Sequence, residues 1–108
     1  MAVHYFDQSG SWIAFRRDEE DRFLFNTSGE WIGWFPWGDE DAVDTDGQYL
    51  GSVIRNRFLQ RDYFPFRGFP GFAGFPGFAG FPGNPGFAGF FSHASGFSDV
   101  PAAQLKNR

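Results

Sequence analysis

The chain has 108 residues, no cysteine, 17 Phe and a net charge of −4, which is the length of one domain. Without cysteine there is no disulfide, no thiol catalysis and no cysteine-based zinc site. Residues 1 to 64 carry twelve Asp/Glu against six Arg. That argues against nucleic acid as a partner, because binding phosphate requires net neutralisation by Lys and Arg. Met1-Ala2-Val3-His4-Tyr5 has no basic region or apolar run of signal-peptide type. No stretch is long and apolar enough for a membrane-spanning helix, so the expectation is a cytoplasmic protein, with a peripheral place on a membrane left open.

The chain opens on a phrase that returns. Phe6-Asp7-Gln8-Ser9-Gly10-Ser11-Trp12-Ile13-Ala14 is followed by Phe25-Asn26-Thr27-Ser28-Gly29-Glu30-Trp31-Ile32-Gly33, and then by Val43-Asp44-Thr45-Asp46-Gly47-Gln48-Tyr49-Leu50-Gly51. Each copy places an apolar strand before an Asx-x-x-Gly reversal and an aromatic, β-branched or aliphatic strand after it, the composition of a β-hairpin. From Gly10 to Gly29 is 19 residues, and from Gly29 to Gly47 is 18. A worn fourth copy starts at Arg57-Phe58-Leu59-Gln60, read against Arg22-Phe23-Leu24-Phe25. That register puts Pro65-Phe66-Arg67-Gly68-Phe69 where Glu30-Trp31-Ile32-Gly33-Trp34 stand in the second copy. The linking turns are Arg16–Asp21, Phe35–Asp41, and Ile54–Arg57, where Asn56 is the residue suited to a left-handed conformation.

A lone hairpin always leaves one face wet, and four of them supply eight short strands, enough to close a ring without exposed edges. Strict period-two alternation puts Trp12, Trp31, Tyr49 and Phe66 on one face together with Ala14, Gly33, Gly51 and Gly68. Ile13, Ile32, Leu50 and Arg67 then fall on the other, and Ile/Leu are expected to point inward. The predicted fold is an all-β, shallow, pseudo-four-fold barrel over residues 3–69.

From Gly68 to Gly89 every third residue is glycine, and the triplets read GFP GFA GFP GFA GFP GNP GFA GFF. A polyproline II backbone, with three residues per turn, would put all the Phe on one ridge, and at ~3.1 Å per residue it would extend on the order of 70 Å. Residues 70–91 are therefore expected as a low-complexity repeat, and 92–108 as a flexible end. A collagen triple helix is disfavoured: Phe fills the second position and the triplets are few. The strip can be disordered, can drive self-association, or can enter a lipid interface. So much apolar surface is expected to be covered by something.

Taken together, YFDQSGSWIAF, FNTSGEWIGWF and DTDGQYLGSV resemble the bacterial 4-fold β-flower proteins, over roughly residues 4 to 69. The resemblance implies a four-fold pseudo-symmetric barrel with a loose likeness in shape to Tubby-like lipid-associated barrels, and it brings no catalytic residues. Arg67 and the altered fourth turn depart from the pattern.

Nothing in the chain spells out a reaction. Asp39–Gly47 is acidic, but an EF-hand loop with Gly47 sixth would need ligands at Ala42 and Val53, so a solvated turn accounts for it. His4 and His93 read as surface residues, and Ser92 beside His93 says nothing of triad geometry. The tail glycines lack a P-loop's Lys-Ser/Thr, and the Trp pair is explained by hairpins rather than a WW module. The expected function is a non-catalytic binding or scaffold protein, without cofactor or metal, that associates with itself, a protein or a membrane surface. The contact residues would be Phe69, Phe72, Phe75, Phe78, Phe81, Phe87 and Phe90, helped by Trp37, the tryptophan expected to be most exposed. The alternative is a lipid or small molecule held in the barrel.

Overall fold

The computed structural model describes residues 2–64, 67, 68, 70–80, 82–91 and 95–106. Its strands are β1 (Val3–Phe6), β2 (Trp12–Arg16), β3 (Phe23–Asn26), β4 (Trp31–Trp34), β5 (Asp41–Asp44), β6 (Tyr49–Ile54), β7 (Arg57–Arg61) and β8 (Phe97–Asp99), and a 3-10 helix covers Ala102–Leu105. The expected residues Pro65, Phe66, Phe69, Phe81, Ser92 and His93 lie outside the described ones.

The three glycine turns are built alike. In each, an Asx residue gives its N–H to the carbonyl four residues on: Asp7 to Ser11 (2.9 Å), Asn26 to Glu30 (2.9 Å) and Asp44 to Gln48 (2.7 Å). Its side-chain oxygen accepts the N–H of that same residue, at 2.9, 3.0 and 3.0 Å respectively. The fourth residue must turn back with positive φ, and Gly10, Gly29 and Gly47 do so at 99°, 81° and 87°.

Immediately after each turn one extra residue is inserted. The pairing shifts between Tyr5 and Phe6, between Leu24 and Phe25, and between Ala42 and Val43, so the ladders read Phe6↔Trp12 then Tyr5↔Ala14, and Phe25↔Trp31 then Leu24↔Gly33. These bulges break strict alternation. Trp12 and Ala14 therefore do not share a face, as period two requires. Ala14 is buried in the core beside Tyr5, Leu24, Ile32, Ala42, Leu50 and Phe58, with Ile13 packed against it. Ile32 and Leu50 point inward as expected. Gly33 and Gly51 are inward too: a Cβ on Gly33 would meet Leu50 Cδ2 at 3.0 Å, and one on Gly51 would meet Phe58 Cζ at 2.8 Å. The tryptophan rings lie outside along the strand, Trp12 Nε1 donating to the Ala14 carbonyl (2.9 Å) and Trp31 Nε1 to that of Gly33 (2.8 Å).

β1 to β7 form an antiparallel meander that closes on itself through a parallel pairing of Phe6 with Arg57. Seven is odd, so first and last strands run the same way and the closing contact has to be parallel. It is brief. β1 takes the start of β7's second edge, and β8 takes the remainder through Leu59↔Asp99, Gln60↔Ser98 and Arg61↔Phe97. The architecture is a closed seven-stranded barrel with one added strand.

The fourth hairpin is consequently β7–β8. Asp62 gives its N–H to the Gly96 carbonyl (2.9 Å), repeating what Asp7, Asn26 and Asp44 do. The correct register thus runs through Asp7, Asn26, Asp44 and Asp62, spaced 19, 18 and 18, and sets Gln60 rather than Leu59 opposite Leu24's place. Arg67 and Gly68 belong to no strand. Where the other turns have three residues between donor and acceptor, this one has 33, residues 63 to 95. The last residues are not a frayed end: Val100 joins the core, with Leu105 packed against it. Of the β6–β7 turn, Arg55 and not Asn56 takes the positive φ, at 58°.

Candidate functional site

The described residues of the long fourth turn run around the barrel as a belt. It meets the third turn, where Pro70 approaches Gly47, then the second, where Ala79 and Gly80 approach Gly29, then the first, where Gly89 approaches Gly10. It reaches them in reverse chain order before delivering β8 to β7. Polyproline II geometry is not what the triplets adopt. Glycines 71, 74, 77, 80, 83, 86 and 89 all have φ between 74° and 88°, a region that glycine adopts without a steric cost, and each follows Pro or Ala. A positive φ at every third residue departs from a straight polyproline II rod, and the molecule spans only 35 × 33 × 24 Å.

Proline has no N–H, so at Pro70, Pro76, Pro82 and Pro85 the belt carries a carbonyl without a matching donor. The barrel answers with arginine, which only donates. Arg22 donates to the Ala73 carbonyl and Arg17 to that of Pro76. Arg57 donates to Gly89 (2.8 Å), Ala88 (3.3 Å) and its own barrel's Asp7 (3.0 Å). Two backbone bonds complete the seam, Ala88 N–H to Gly10 (2.9 Å) and Phe91 N–H to Gln8 (2.7 Å). Each arginine also lies over aromatic rings: Arg17 5.0 Å from the Phe25 centroid, Arg22 5.0 Å from Trp34, Arg57 5.4 Å from Phe91.

The reason for a belt lies in the barrel's outer face. Alternation from the core residues points Phe6, Phe15, Phe25, Trp34, Val43 and Leu59 outward, yet all are buried. Pro70, Ala73, Pro76, Ala79, Pro82 and Ala88 are half-buried. Apart from the exposed Pro85, the Pro/Ala ridge thus faces the barrel and the Phe ridge faces away. Phe72, Phe75, Phe78, Phe87 and Phe90 are 88, 90, 90, 72 and 74% exposed. Five of the seven Phe singled out by sequence share one outward ridge; Phe69 and Phe81 are not among the described residues.

Trp37 is half-buried rather than prominent. The Arg67 guanidinium sits 4.1 Å from its ring centroid, and Phe64 lies 6.5 Å away while stacking on Tyr49 at 3.9 Å. These side chains, with Trp34 and the belt's Pro70 and Phe72, line a groove of about 710 Å³ beside the third turn. Arg67 is held in place by Asp39 (2.7 Å) and Asp41 (2.8 Å). Beneath it, Ser52 donates to Asp41 (2.6 Å) and meets the Tyr49 hydroxyl at 2.7 Å. Ser52 is fully buried, so it braces the groove and can reach no substrate. Sequence reasoning misses this groove because it reads Arg67 as a strand residue of the worn fourth copy and sets Phe64 in the place of that copy's turn glycine.

Burial raises the pKa of Asp39, but the Asp41 N–H and Arg67 more than offset it, leaving the carboxyl below its usual range. Asp21 behaves the same way, with burial outweighed by the hydrogen bond from Arg17 and by the Phe23 and Arg17 amides. His4 is half-buried and edge-on to Trp12 at 5.3 Å, and burial lowers its pKa. Among the described residues no helix is long and apolar enough to cross a membrane.

Compared with protein-family models, with curated proteins and with solved structures, the chain matches none.

Proposed function

We propose that this protein is a non-catalytic binding module whose belt presents a ridge of Phe rings for association with an apolar surface, in the first place that of another copy. The observation that carries this reading is the outward ridge of five exposed Phe, on a backbone that the barrel fixes at several points. Fully hiding one such ring contributes roughly 1.5–3 kcal/mol, and pre-ordering the belt removes much of the entropy cost that a free tail would meet. A ligand inside the barrel is supported less well, because Tyr5, Leu24, Ile32, Leu50 and Phe58 pack its axis. The hairpin phrase and the three equivalent turns support kinship with the β-flower proteins, which itself implies no chemistry.

The test is a variant with Phe75, Phe78, Phe87 and Phe90 changed to Ser, compared with the parent by light scattering after gel filtration, by liposome flotation and by pull-down. The melting temperature should hold, since exposed substitutions change stability little, while association is lost. Unchanged association of the folded variant refutes the reading.

A further inference from the structure

We infer that the groove beside the third turn is a receptor for Gly-Phe-Pro/Ala triplets from the belt of a second copy. This inference rests on the associative reading above and names its partner surface. The barrel already binds this repeat in its own chain, and besides two backbone bonds near the first turn it does so by one repeated device: a guanidinium lying over aromatic rings donates to belt carbonyls. Arg17, Arg22 and Arg57 each do so. Arg67 over Trp37 repeats the device. Its Nη1 is held by Asp39 and Asp41, and among the described residues no acceptor takes its Nε or Nη2. The guanidinium is therefore pre-positioned, with donors left for the carbonyls of an incoming triplet. Stacked Tyr49 and Phe64, with Trp37 beside them, supply the flat apolar walls on which a Phe or Pro ring can lie.

The groove also continues an interface that exists. Pro70, Gly71, Phe72 and Ala73, the first triplets of the belt, form one of its walls, so an incoming belt segment would extend a surface of the same composition. The occupant has to come from another molecule. Ala88 and Gly89 are fixed to Gly10 and Arg57, at the first hairpin, which stands nearly opposite the third in a seven-stranded ring. The ridge thus starts at the groove wall with Phe72 and runs away from it, through Phe75 and Phe78 to Phe87 and Phe90 at the first hairpin. Pairing one with the other is heterologous, so it builds rings or open chains of copies.

The experiment uses a fluorescein-labelled peptide of the sequence of residues 74–80, Gly-Phe-Pro-Gly-Phe-Ala-Gly, titrated with the full chain by anisotropy, alongside sedimentation of the full chain over a range of concentrations. Saturable binding is expected, weakened at least tenfold by Trp37→Ala and by Arg67→Gln, and absent for a peptide with both Phe replaced by Ser. Assemblies should grow with concentration and be dispersed by excess peptide. Circular dichroism confirms folding of each variant; should Trp37→Ala fail to fold, Arg67→Gln decides. Unsaturable binding, or equal binding by the folded groove variants, overturns the groove assignment. If the Phe→Ser belt variant loses association while folded groove variants keep it, the groove is wrong and the associative role stands. If neither set of changes affects association, both fall.

Discussion

Replacing residues 63 to 95 by Thr-Ser-Gly would give the fourth hairpin the same turn that Asn26 to Glu30 have, with Asp62 and Gly96 already in the donor and acceptor places. Shortening the loop from 33 residues to three lowers closure entropy by (3/2)RT ln 11, about 2 kcal/mol in favour of folding. Against it stands the outer face. Phe6, Phe15, Phe25, Trp34 and Val43 are each at most 7% exposed, and full burial of such side chains contributes roughly 1.5–3 kcal/mol apiece. If the belt provides half of that cover, its removal costs about 4–8 kcal/mol, a net loss of roughly 2–6 kcal/mol. Domains of this size have about 5–15 kcal/mol in all. The beltless barrel should therefore unfold at markedly lower urea, or aggregate, when followed by tryptophan fluorescence and circular dichroism. A monomeric beltless barrel as stable as its parent would refute the idea that the belt roofs an aromatic outer layer. Deleting residues 70–108 is a poorer test, since it also removes β8 and Val100.

Gly10→Ala would set a Cβ 2.5 Å from the Gly89 carbonyl oxygen at a φ of 99°, and should cost at least about 2–3 kcal/mol by urea titration. Gly83→Ala, with positive φ but open space around it, should cost about 1 kcal/mol. Arg57→Ala would take the arginine donor from the Ala88 and Gly89 carbonyls and leave the Asp7 carbonyl with the Gly10 N–H alone, a loss of roughly 2–4 kcal/mol with faster amide exchange at Ala88 and Phe91; Arg57→Lys should fall between, because an ammonium cannot fork. Asp21 and Asp39 have folded-state pKa values depressed below the ordinary carboxylate value. Their contribution is therefore fully present above that value, and is lost as pH falls through about 4 and below. Acid titration of the melting temperature should show the fall, and Asp21→Asn should flatten it.

The sequence made the hairpins legible because each uses local chemistry: an Asx side chain capping its own turn, and a glycine where φ must be positive. Two things were hidden. The bulge after each turn is a one-residue shift that composition does not mark, so alternation placed Trp12 and Ala14 together when pairing with Tyr5 turns Ala14 inward. The fourth hairpin was hidden by distance, for its second strand stands 33 residues further on. A signal existed: Asp62 continues the Asx spacing of 19, 18 and 18, and following it instead of the Arg57-Phe58-Leu59 likeness would have ended the fourth strand at the right residue. The groove followed from the same slip, since Arg67 aligned with Ile32 has no reason to lie over Trp37. The Phe ridge was readable because three-residue periodicity survives whatever φ the glycines adopt; the belt's curvature was not, because it depends on the sign of that φ.

Why the chain makes a belt instead of an eighth short hairpin strand follows from the closing seam. A seven-strand meander can meet itself only in parallel, and here that meeting covers just Phe6 and Arg57. The rest of β7's second edge would be left open, the kind of edge that recruits strands from other chains. β8 fills it, anchored further by Asp99, whose carboxylate accepts the Gln8 N–H at 2.9 Å. Because β8 must lie beside β7, the intervening segment has to leave and return at one place, and a circuit of the barrel does that. Closure entropy grows only logarithmically with length, so a long excursion costs little more than a medium one, while every further triplet can cover more of the outer face. The same arrangement that protects the barrel's edge and its aromatic exterior thus sets Phe after Phe on the outside, and the surface left for association is a by-product of how the ring is closed.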